Sequence, residues 1–319
     1  MASLPKALIV AGPTASGKSA LALGIAEQLG GTIVNTDSMQ VYRELRILTA
    51  RPTPGEEAQV PHRLYGVRPA AEAGSVAWWR QQALSAMEDI HAAGRMPILT
   101  GGTGMYFAAL TGGLADIPDP GQDARAEARR LLADQGPAAL HASLARIDPA
   151  TAARLNTGDG QRIARAWEVW RSTGIGLAAW QARQGTPAPW RFTAILLDPP
   201  RDALRVAIAT RFGTMLRDGA LDEVRNFLTL GLDPSLPAMR AHGVPELSAY
   251  LRGTLTLDQA GQRTEQVTSH YTKRQATWFR HRTLAPQTRV RIIHSRVCSV
   301  QQFSESERRD LFTFIESED

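Results

Sequence analysis

The chain has a single cysteine, Cys298, among its 319 residues. One thiol excludes an internal disulfide and a zinc site of the Cys-x-x-Cys type, so the expected compartment is a reducing cytoplasm. Long apolar runs are also missing, because none approaches the ~20 residues that a membrane-spanning helix needs. The first apolar run, residues 7–11, is too short for a secretory leader. We therefore expect a cytoplasmic protein without membrane contact.

Acidic side chains are absent from one long stretch, residues 266–304. This stretch carries seven lysines and arginines, whereas the net charge of the whole chain is only +5. Such a local excess of positive charge suggests a polyanionic partner. A solvated basic face is the alternative interpretation that composition leaves open.

The remaining composition is that of a globular protein, with 43% hydrophobic and 21% charged residues. In the first part of the chain, short apolar runs alternate with helical patterns, which predicts a parallel sheet with right-handed crossovers. The predicted strands are "KALIVAG", "TIVNTD" and "RMPILTGG". The predicted helices are "SGKSALALGIAEQLG" and "VAWWRQQALSAMEDIHAAG".

The stretch "GPTASGKS" lies between the first strand and its helix and fits the pattern G-x-x-x-x-G-K-[ST]. The glycines allow backbone N–H groups to point at phosphates, and the helix N-terminus adds positive potential. The lysine reaches phosphate oxygens and the last serine can bind Mg²⁺. A plain glycine turn is the alternative. The predicted phosphate-binding residues are Gly12, Pro13, Thr14, Ala15, Ser16, Gly17, Lys18 and Ser19.

The alternating pattern stops near "DIPDPGQD", and helical composition continues until "RFTAILLDPP" restores a strand. We therefore predict a helical insertion, residues 118–189, in a core formed by residues 1–117 and 190–319. Helices are expected near residues 202–219, 221–231 and 258–282, with a last strand at "VRIIH". The predicted fold class is α/β, with a P-loop NTPase-like parallel sheet, the helical insertion and C-terminal helices.

Two further segments follow predicted strands, and ligands of such sheets bind beyond the carboxyl ends of the strands. Asp37 ends the second strand, where it could hold Mg²⁺ or take a proton from a nucleophile. It could equally be a residue that only caps the next turn. Thr103, in "TGGTGMYF", would place a hydroxyl donor near the phosphates, although Gly-Gly turns are common.

Arg211 lies on the helix that follows the double proline, along an apolar stripe that includes Leu204 and Ile208. An arginine aimed inward needs an anionic partner or a route to solvent. A bound phosphate is the functional interpretation, and a side chain that snorkels to solvent is the alternative.

Taken together, these motifs resemble those of the tRNA dimethylallyltransferases, also called tRNA isopentenyltransferases, of the bacterial type. The matching segments are "GPTASGKS", "NTDSMQVYRE", "TARPT", "PHRL", "GGTGMYF", "GDGQRIARAWEV" and "KRQATWFR". The resemblance implies transfer of a dimethylallyl group from dimethylallyl diphosphate to N6 of the adenosine just 3′ of the anticodon. The tRNAs concerned read codons that begin with U.

The resemblance also implies the roles of individual residues. Asp37 would be the base, Thr103 would contact the diphosphate and help place the adenine, and Lys18 and Arg211 would stabilise the diphosphate. Ser19 and Asp37 would hold Mg²⁺, the expected cofactor. The partners would be dimethylallyl diphosphate and a tRNA anticodon stem-loop, and a monomer would suffice. The implied tRNA-binding residues are Asp37, Ser38, Met39, Gln40, Thr103, Arg125, Gln161, Arg162, Ile163, Ala164, Arg165, Lys273, Arg274 and Arg280.

The chain departs from the family pattern in two places. The usual "DIGTAKP" is "RILTARP" here, so that Arg46, Leu48 and Arg51 replace aspartate, glycine and lysine. The usual "GY" is Gly243-Val244. Because the second segment resembles one that touches the anticodon stem-loop, the RNA contacts around it are in question.

Two other functions compete with this interpretation. A P-loop small-molecule or nucleotide kinase would bind ATP and transfer its γ-phosphoryl group. That hypothesis leaves the acid-free basic stretch and the helical insertion without a purpose. A non-enzymatic RNA-binding protein with a degenerate loop would bind RNA in a salt-dependent manner without turnover. Against it, the phosphate loop, Asp37 and Thr103 are all in place.

Overall fold

The computed structural model describes residues 4–183 and 185–317. The chain divides into two compact units, one formed up to Thr111 and from Ala188 onward, and one formed by Gly112–Pro187. The helical unit thus begins and ends somewhat earlier than the predicted insertion, residues 118–189. Within the described ranges, no helix has both the length and the apolar character needed to cross a bilayer.

A parallel sheet forms the centre of the first unit. Its strands are β1 (Lys6–Ala11), β2 (Thr32–Asn35), β3 (His62–Arg63), β4 (Pro97–Gly101), β5 (Arg191–Leu197) and β6 (Val290–Ile293). Their spatial order is β3-β2-β4-β1-β5-β6, and every neighbouring pair is parallel. The predicted α/β class is confirmed. All strands end at the same edge of the sheet, which is where ligands of such folds bind.

Helices cover both faces of this sheet. They are α1 (Lys18–Leu29), α2 (Pro54–Gln59), α3 (Val76–Ala92), α4 (Gly104–Thr111), α9 (Arg201–Arg217), α10 (Ala220–Leu228), α11 (Val244–Leu251), α12 (Leu257–Arg280) and α13 (Glu305–Glu316). Because successive strand side chains point to opposite faces, Ile9 joins one apolar core while Leu8 and Val10 join the other. The run of apolar residues in β1 is therefore buried on both sides.

The second unit contains α5 (Gly121–Ile147), α6 (Pro149–Ala152), α7 (Gly160–Thr173) and α8 (Leu177–Ala182). Helix α5 is interrupted at Gly136, whose φ of 75° is followed by Pro137. Asp148 links three of these helices, since its carboxylate accepts the amides of Thr151 and Leu177 at 3.1 Å each. An apolar core that includes Leu144 holds the unit together.

One loop of the first unit, residues 46–51, is fixed by a carboxylate from helix α10. Glu223 Oε1 accepts the amides of Arg46 and Ile47, each at 2.7 Å, and Oε2 accepts the amide of Leu48 at 2.9 Å. Gln40 Nε2 donates to two carbonyl oxygens at the far end of the same loop. The loop therefore has a defined shape although it contains no regular secondary structure.

We predict that Glu223→Ala lowers the free energy of unfolding by about 3 kcal/mol. Three amides would lose a charged acceptor, and hydrogen bonds to charged groups contribute about 1.5–3 kcal/mol each. Chemical denaturation of Glu223→Ala and Asp222→Ala checks this, because Asp222 is the exposed neighbour that pairs only with Arg225 among the described residues. The control should change by less than about 0.5 kcal/mol, and equal effects of the two changes would contradict the assignment.

Candidate phosphate and nucleophile site

The phosphate loop, residues 12–17, follows β1 at the carboxyl edge of the sheet. Two of its residues are left-handed, Ala15 with φ 67° and Gly17 with φ 92°. Only glycine fits at position 17, because a Cβ there would lie 1.6 Å from the carbonyl oxygen of Val297. The Ser16 hydroxyl is fully buried, and no described residue hydrogen-bonds with it. A buried hydroxyl without a protein partner is the donor that a bound phosphate would engage.

A cavity of about 880 Å³ opens beside this loop. It is lined by one face of α9, by residues of the 46–51 loop and by residues 296–298. Its wall carries two carboxylates, Glu56 and Asp218. It carries five cations, namely Lys18, Arg46, Arg51, Arg211 and Arg296. This excess of positive charge favours an anionic ligand.

The charges nearest the loop perturb one another. Burial lowers the pKa of Lys18 to about 8, with Asp37 opposing and Arg211 reinforcing this shift. Burial also lowers the pKa of Arg211, and Arg296 adds to the effect. Arg211 makes no hydrogen bond or ion pair with a described residue. An arginine without a carboxylate partner on a cavity wall is poised to bind an anion.

Asp37 lies just beyond the end of β2, and its backbone is held in place. The Asn35 side chain accepts the amide of Asp37 at 2.9 Å and donates to its carbonyl at 3.0 Å. Asp37 Oδ1 accepts the amide of Met39 at 2.9 Å. Its Oδ2 has no hydrogen-bond partner in the described ranges. One carboxylate oxygen is therefore fixed and the other is free to accept a proton or a metal ion.

Thr103 connects the ends of β2 and β4. Its Oγ1 accepts the amide of Ser38 at 2.9 Å and donates to Ser38 Oγ at 3.3 Å. The Thr103 side chain also acts on Tyr271 of α12, whose pKa it lowers against the larger effect of burial. Burial, together with the charge of Asp37, raises the pKa of Tyr271 to about 12, so its hydroxyl keeps its proton. The predicted neighbours Asp37 and Thr103 are thus brought to the same edge of the sheet.

Gln275 of α12 joins the two glycine-containing loops, and the sequence analysis did not single it out. Its Oε1 accepts from the Thr14 amide at 2.9 Å and from the Thr14 hydroxyl at 3.1 Å. Its Nε2 donates to the carbonyl of Gly102 at 2.8 Å. One signal was available: the buried face of α12 consists largely of polar residues at helical spacing, Thr264, Thr268, Thr272 and Gln275. A polar stripe on a buried helix face indicates hydrogen bonding across the core.

The residues at the loop fit a magnesium ion that is shared with a phosphate ligand. Mg²⁺ is commonly bound by one or two protein oxygens, with phosphate and water oxygens completing its shell. Ser19 faces the cavity, and Asp37 offers a free carboxylate oxygen. The described part of the chain contains no group of three or more His, Cys, Asp or Glu residues arranged as an independent metal site.

In the second unit, the residues predicted to bind tRNA differ in exposure. Arg125 pairs with Asp119 at 2.8 Å. In α7, Gln161 and Arg162 are exposed. Arg165 is partly buried and pairs with Glu168. Ile163 and Ala164 are buried, so their side chains serve the core of this unit.

On α12, the three predicted basic residues also differ. Lys273 and Arg274 are exposed, and the Arg274 guanidinium lies 5.4 Å from the ring centroid of Tyr271. Arg280 forms a bidentate ion pair with Asp198, at 2.9 Å and 3.2 Å. This pairing raises the pKa of Arg280. Part of its hydrogen-bonding capacity is therefore used within the protein.

A parallel α/β sheet whose first strand leads into a glycine-containing loop beside a cation-lined cavity defines an α/β protein with a P-loop-like fold. The chain matches the family model described as "IPP transferase" over residues 40–282. A tRNA dimethylallyltransferase of Granulibacter bethesdensis is 61% identical over 311 residues, which cover 97% of this chain and 98% of that one. The chain therefore belongs to the IPP transferase family, as the sequence predicts.

Solved structures agree with this assignment. The full-length tRNA isopentenylpyrophosphate transferase from Bacillus halodurans is 31% identical and has a TM-score of 0.68, with 98% of this chain and 97% of that one covered. A eukaryotic dimethylallyltransferase, 24% identical, supports the fold with a TM-score of 0.80, covering 98% of this chain and 81% of that one. Membership of the family confirms an enzyme that transfers prenyl groups, and it does not favour the kinase alternative.

We predict that the affinity for an organic diphosphate falls as the pH rises through the pKa of Lys18, about 8. Below this pH the ammonium is charged and attracts the diphosphate, and above it the charge is lost. Calorimetric titration with dimethylallyl diphosphate between about pH 7 and about pH 9.5 measures the effect. Lys18→Met should bind weakly without this pH dependence, and a flat wild-type profile would remove Lys18 from the site.

Proposed function

We propose that this protein transfers a dimethylallyl group from dimethylallyl diphosphate to N6 of the adenosine just 3′ of the anticodon. The proposed substrates are tRNAs that read codons beginning with U. One observation carries the proposal: a phosphate loop beside a cation-lined cavity and a carboxylate with a free oxygen share one edge of the sheet. The first suits a diphosphate leaving group, and the second suits an amine nucleophile.

In the proposed reaction, N6 attacks C1 of the donor while the bond from C1 to the diphosphate oxygen breaks. Charge grows on the diphosphate, where Lys18, Arg211 and the loop stabilise it. The amine becomes positively charged as the C–N bond forms, and Oδ2 of Asp37 takes its proton. Thr103 accepts the Ser38 amide, and this hydrogen bond would position Ser38 and its neighbour Asp37 relative to the ligand. Each group thus acts where charge develops.

Mg²⁺ is the proposed cofactor, with Ser19 as a direct protein ligand and Asp37 holding the ion through water, so that Oδ2 stays available as the base; bound there, Mg²⁺ would neutralise charge on the diphosphate. Access of the adenine to Asp37 requires that the base leave the anticodon-loop stack, as in other enzymes that modify bases. Residues 37–40 would contact that base.

Because this reaction needs one active site and one tRNA, the proposed active form is a monomer. The proposed compartment is the cytoplasm.

The proposed RNA-binding surface includes the exposed end of α12. Lys273 and Arg274 would meet backbone phosphates, and Arg280 would extend this surface while it is held by Asp198. Of the helical-unit residues predicted to bind tRNA, Arg125, Gln161, Arg162 and Arg165 have side chains that are at least partly exposed. Basic side chains of this kind position the RNA without reading its sequence.

The reaction is tested with labelled dimethylallyl diphosphate, Mg²⁺ and an unmodified anticodon stem-loop. We expect label on the adenosine 3′ of the anticodon, and we expect Asp37→Asn to lower kcat by roughly 10²–10⁴, as for a lost general base. Asparagine preserves the shape and the bond to Met39 but cannot take the proton. The KM for tRNA should change little.

Asp89→Asn is the matched control, because Asp89 is exposed on α3. Its turnover should equal that of the wild type. Label on another nucleotide would overturn the proposed acceptor, and wild-type turnover of Asp37→Asn would remove Asp37 from the chemistry. Turnover of ATP without transfer to RNA would establish a kinase instead.

We also predict that Lys273→Ala combined with Arg274→Ala weakens tRNA binding and lowers its salt dependence by roughly two units, one for each phosphate contact. Binding measured from low to high salt gives this slope. Arg95→Ala is the control, since Arg95 is exposed just before β4, at the amino edge of the sheet. An unchanged slope in the double variant would show that this part of α12 is only a solvated face.

A further inference from the structure

The chain that follows β6 passes directly behind the phosphate loop. We call residues 296–302 the C-terminal strap. Arg296 Nε donates to the carbonyl oxygen of Ala15 at 3.1 Å, and the amide of Val297 donates to the carbonyl oxygen of Ser16 at 3.0 Å. Two consecutive carbonyls of the loop are therefore held by two consecutive residues of the strap. No motif in the sequence points to this pairing.

These two bonds fix the orientation of peptide groups that would otherwise be free to turn. A trans peptide is planar, with its N–H opposite its C=O. When the Ser16 carbonyl is bound by the strap, the N–H of Gly17 must point away from the strap. When the Ala15 carbonyl is bound, the left-handed conformation of Ala15, with φ 67°, is held as well. Non-glycine residues adopt this conformation only at a cost in free energy, which the surrounding contacts must offset.

The strap is itself anchored to the unit. The Gln302 side chain bonds to the backbone of the strap at two points. Its Nε2 donates to the Arg296 carbonyl at 3.2 Å, and its Oε1 accepts the Cys298 amide at 2.8 Å. Val300 packs so closely on α1 that a Cβ at Gly24 would lie 2.7 Å from it. The strap is thus a folded support and not a tail that lies loosely on the loop.

The Arg296 side chain also faces the cavity. It lines the same wall as Lys18 and Arg211. Its Nη1 donates to Cys298 Sγ at 2.8 Å, and its Nη2 has no hydrogen-bond partner in the part of the chain that the structure describes. The planar guanidinium therefore joins the strap, the loop and the cavity, with donors in three directions.

We propose that Arg296 is a positioning residue for the diphosphate of the prenyl donor, acting through the Ala15 carbonyl to hold the phosphate loop in its anion-binding conformation. This deepens the proposed function and rests on it for the identity of the donor. A lysine at this position would keep the positive charge. It would lose the planar set of N–H donors, which lets one side chain bond to the Ala15 carbonyl and face the cavity at the same time.

The test compares Arg296→Ala, Arg296→Lys and the control Arg309→Ala, an exposed arginine on α13. We expect both changes at Arg296 to raise the KM and the Kd for dimethylallyl diphosphate by about tenfold, with the KM for tRNA unchanged and kcat changed by less than about threefold. Full rescue by lysine would mean that Arg296 acts only through its charge, and that result would overturn the positioning role.

A second measurement does not depend on the proposed reaction. Hydrogen exchange of the amides of residues 12–19 should be faster in both Arg296 variants than in Arg309→Ala, with exchange in the helical unit unchanged. Equal exchange in all three variants would overturn the proposal. If Arg296→Ala fails to fold, Arg296→Lys decides by the same criteria. Failure of the wild type to transfer prenyl groups would overturn the proposed function, whereas exchange and binding of inorganic diphosphate would still test Arg296.

Discussion

Mutual repulsion among the cations beside the phosphate loop is the constraint on which the rest of the structure depends. Lys18, Arg211 and Arg296 share one cavity wall. Burial lowers the pKa of Lys18 and of Arg211, and a neighbouring cation adds to each shift, Arg211 for Lys18 and Arg296 for Arg211. Like charges in a poorly solvated place are unfavourable, so these side chains stay together only if the elements that carry them are fixed by other interactions. Asp37 opposes the repulsion but cannot balance three positive charges.

The parallel sheet supplies that fixation. Lys18 follows β1, Arg211 lies on the helix after β5, and Arg296 follows β6, and these three strands are adjacent in the sheet. Strands β1 and β5 are buried in the apolar cores on both faces of the sheet, and this burial offsets the cost of holding the cations together. Gln275 and the C-terminal strap then fix the loop itself, through bonds between residues far apart in the chain. A bound diphosphate would relieve the repulsion, so the charge of the site favours an anionic ligand.

Local patterns in the sequence predicted what local physics determines. The apolar runs predicted the main strands, the glycine-lysine motif predicted the loop, and helical spacing indicated that Arg211 points inward. Glu223 and Arg296 could not be predicted in this way, because each acts on backbone groups that tertiary folding alone brings near. For Gln275, the polar stripe of α12 indicates hydrogen bonding across the core but not its partners, Thr14 and Gly102. Strand β3, with two residues, is too short to produce a pattern. The function of such residues depends on strand order, which no single segment encodes.

The basic stretch, residues 266–304, shows that composition alone does not tell where each charged side chain lies in the structure. Its net charge predicted a polyanionic partner, but its arginines have different surroundings. Arg289 is buried, Arg280 pairs with Asp198, and Arg296 supports the phosphate loop. Only some of the charges, such as Lys273 and Arg274, lie on a face that is available to RNA. A charge count therefore gives the sign of the partner and overstates the number of contacts.

Two of the residues that depart from the family pattern, Leu48 and Val244, lie in one apolar core. Leu48, where the family has glycine, is buried and lies so close to Gly243 that a Cβ there would be 2.8 Å from Leu48 Cδ2. Val244, where the family has tyrosine, is buried in the same core. Val244 thus belongs to the packing of the core, while Arg240 and Pro245 remain exposed on the segment that resembles an RNA contact.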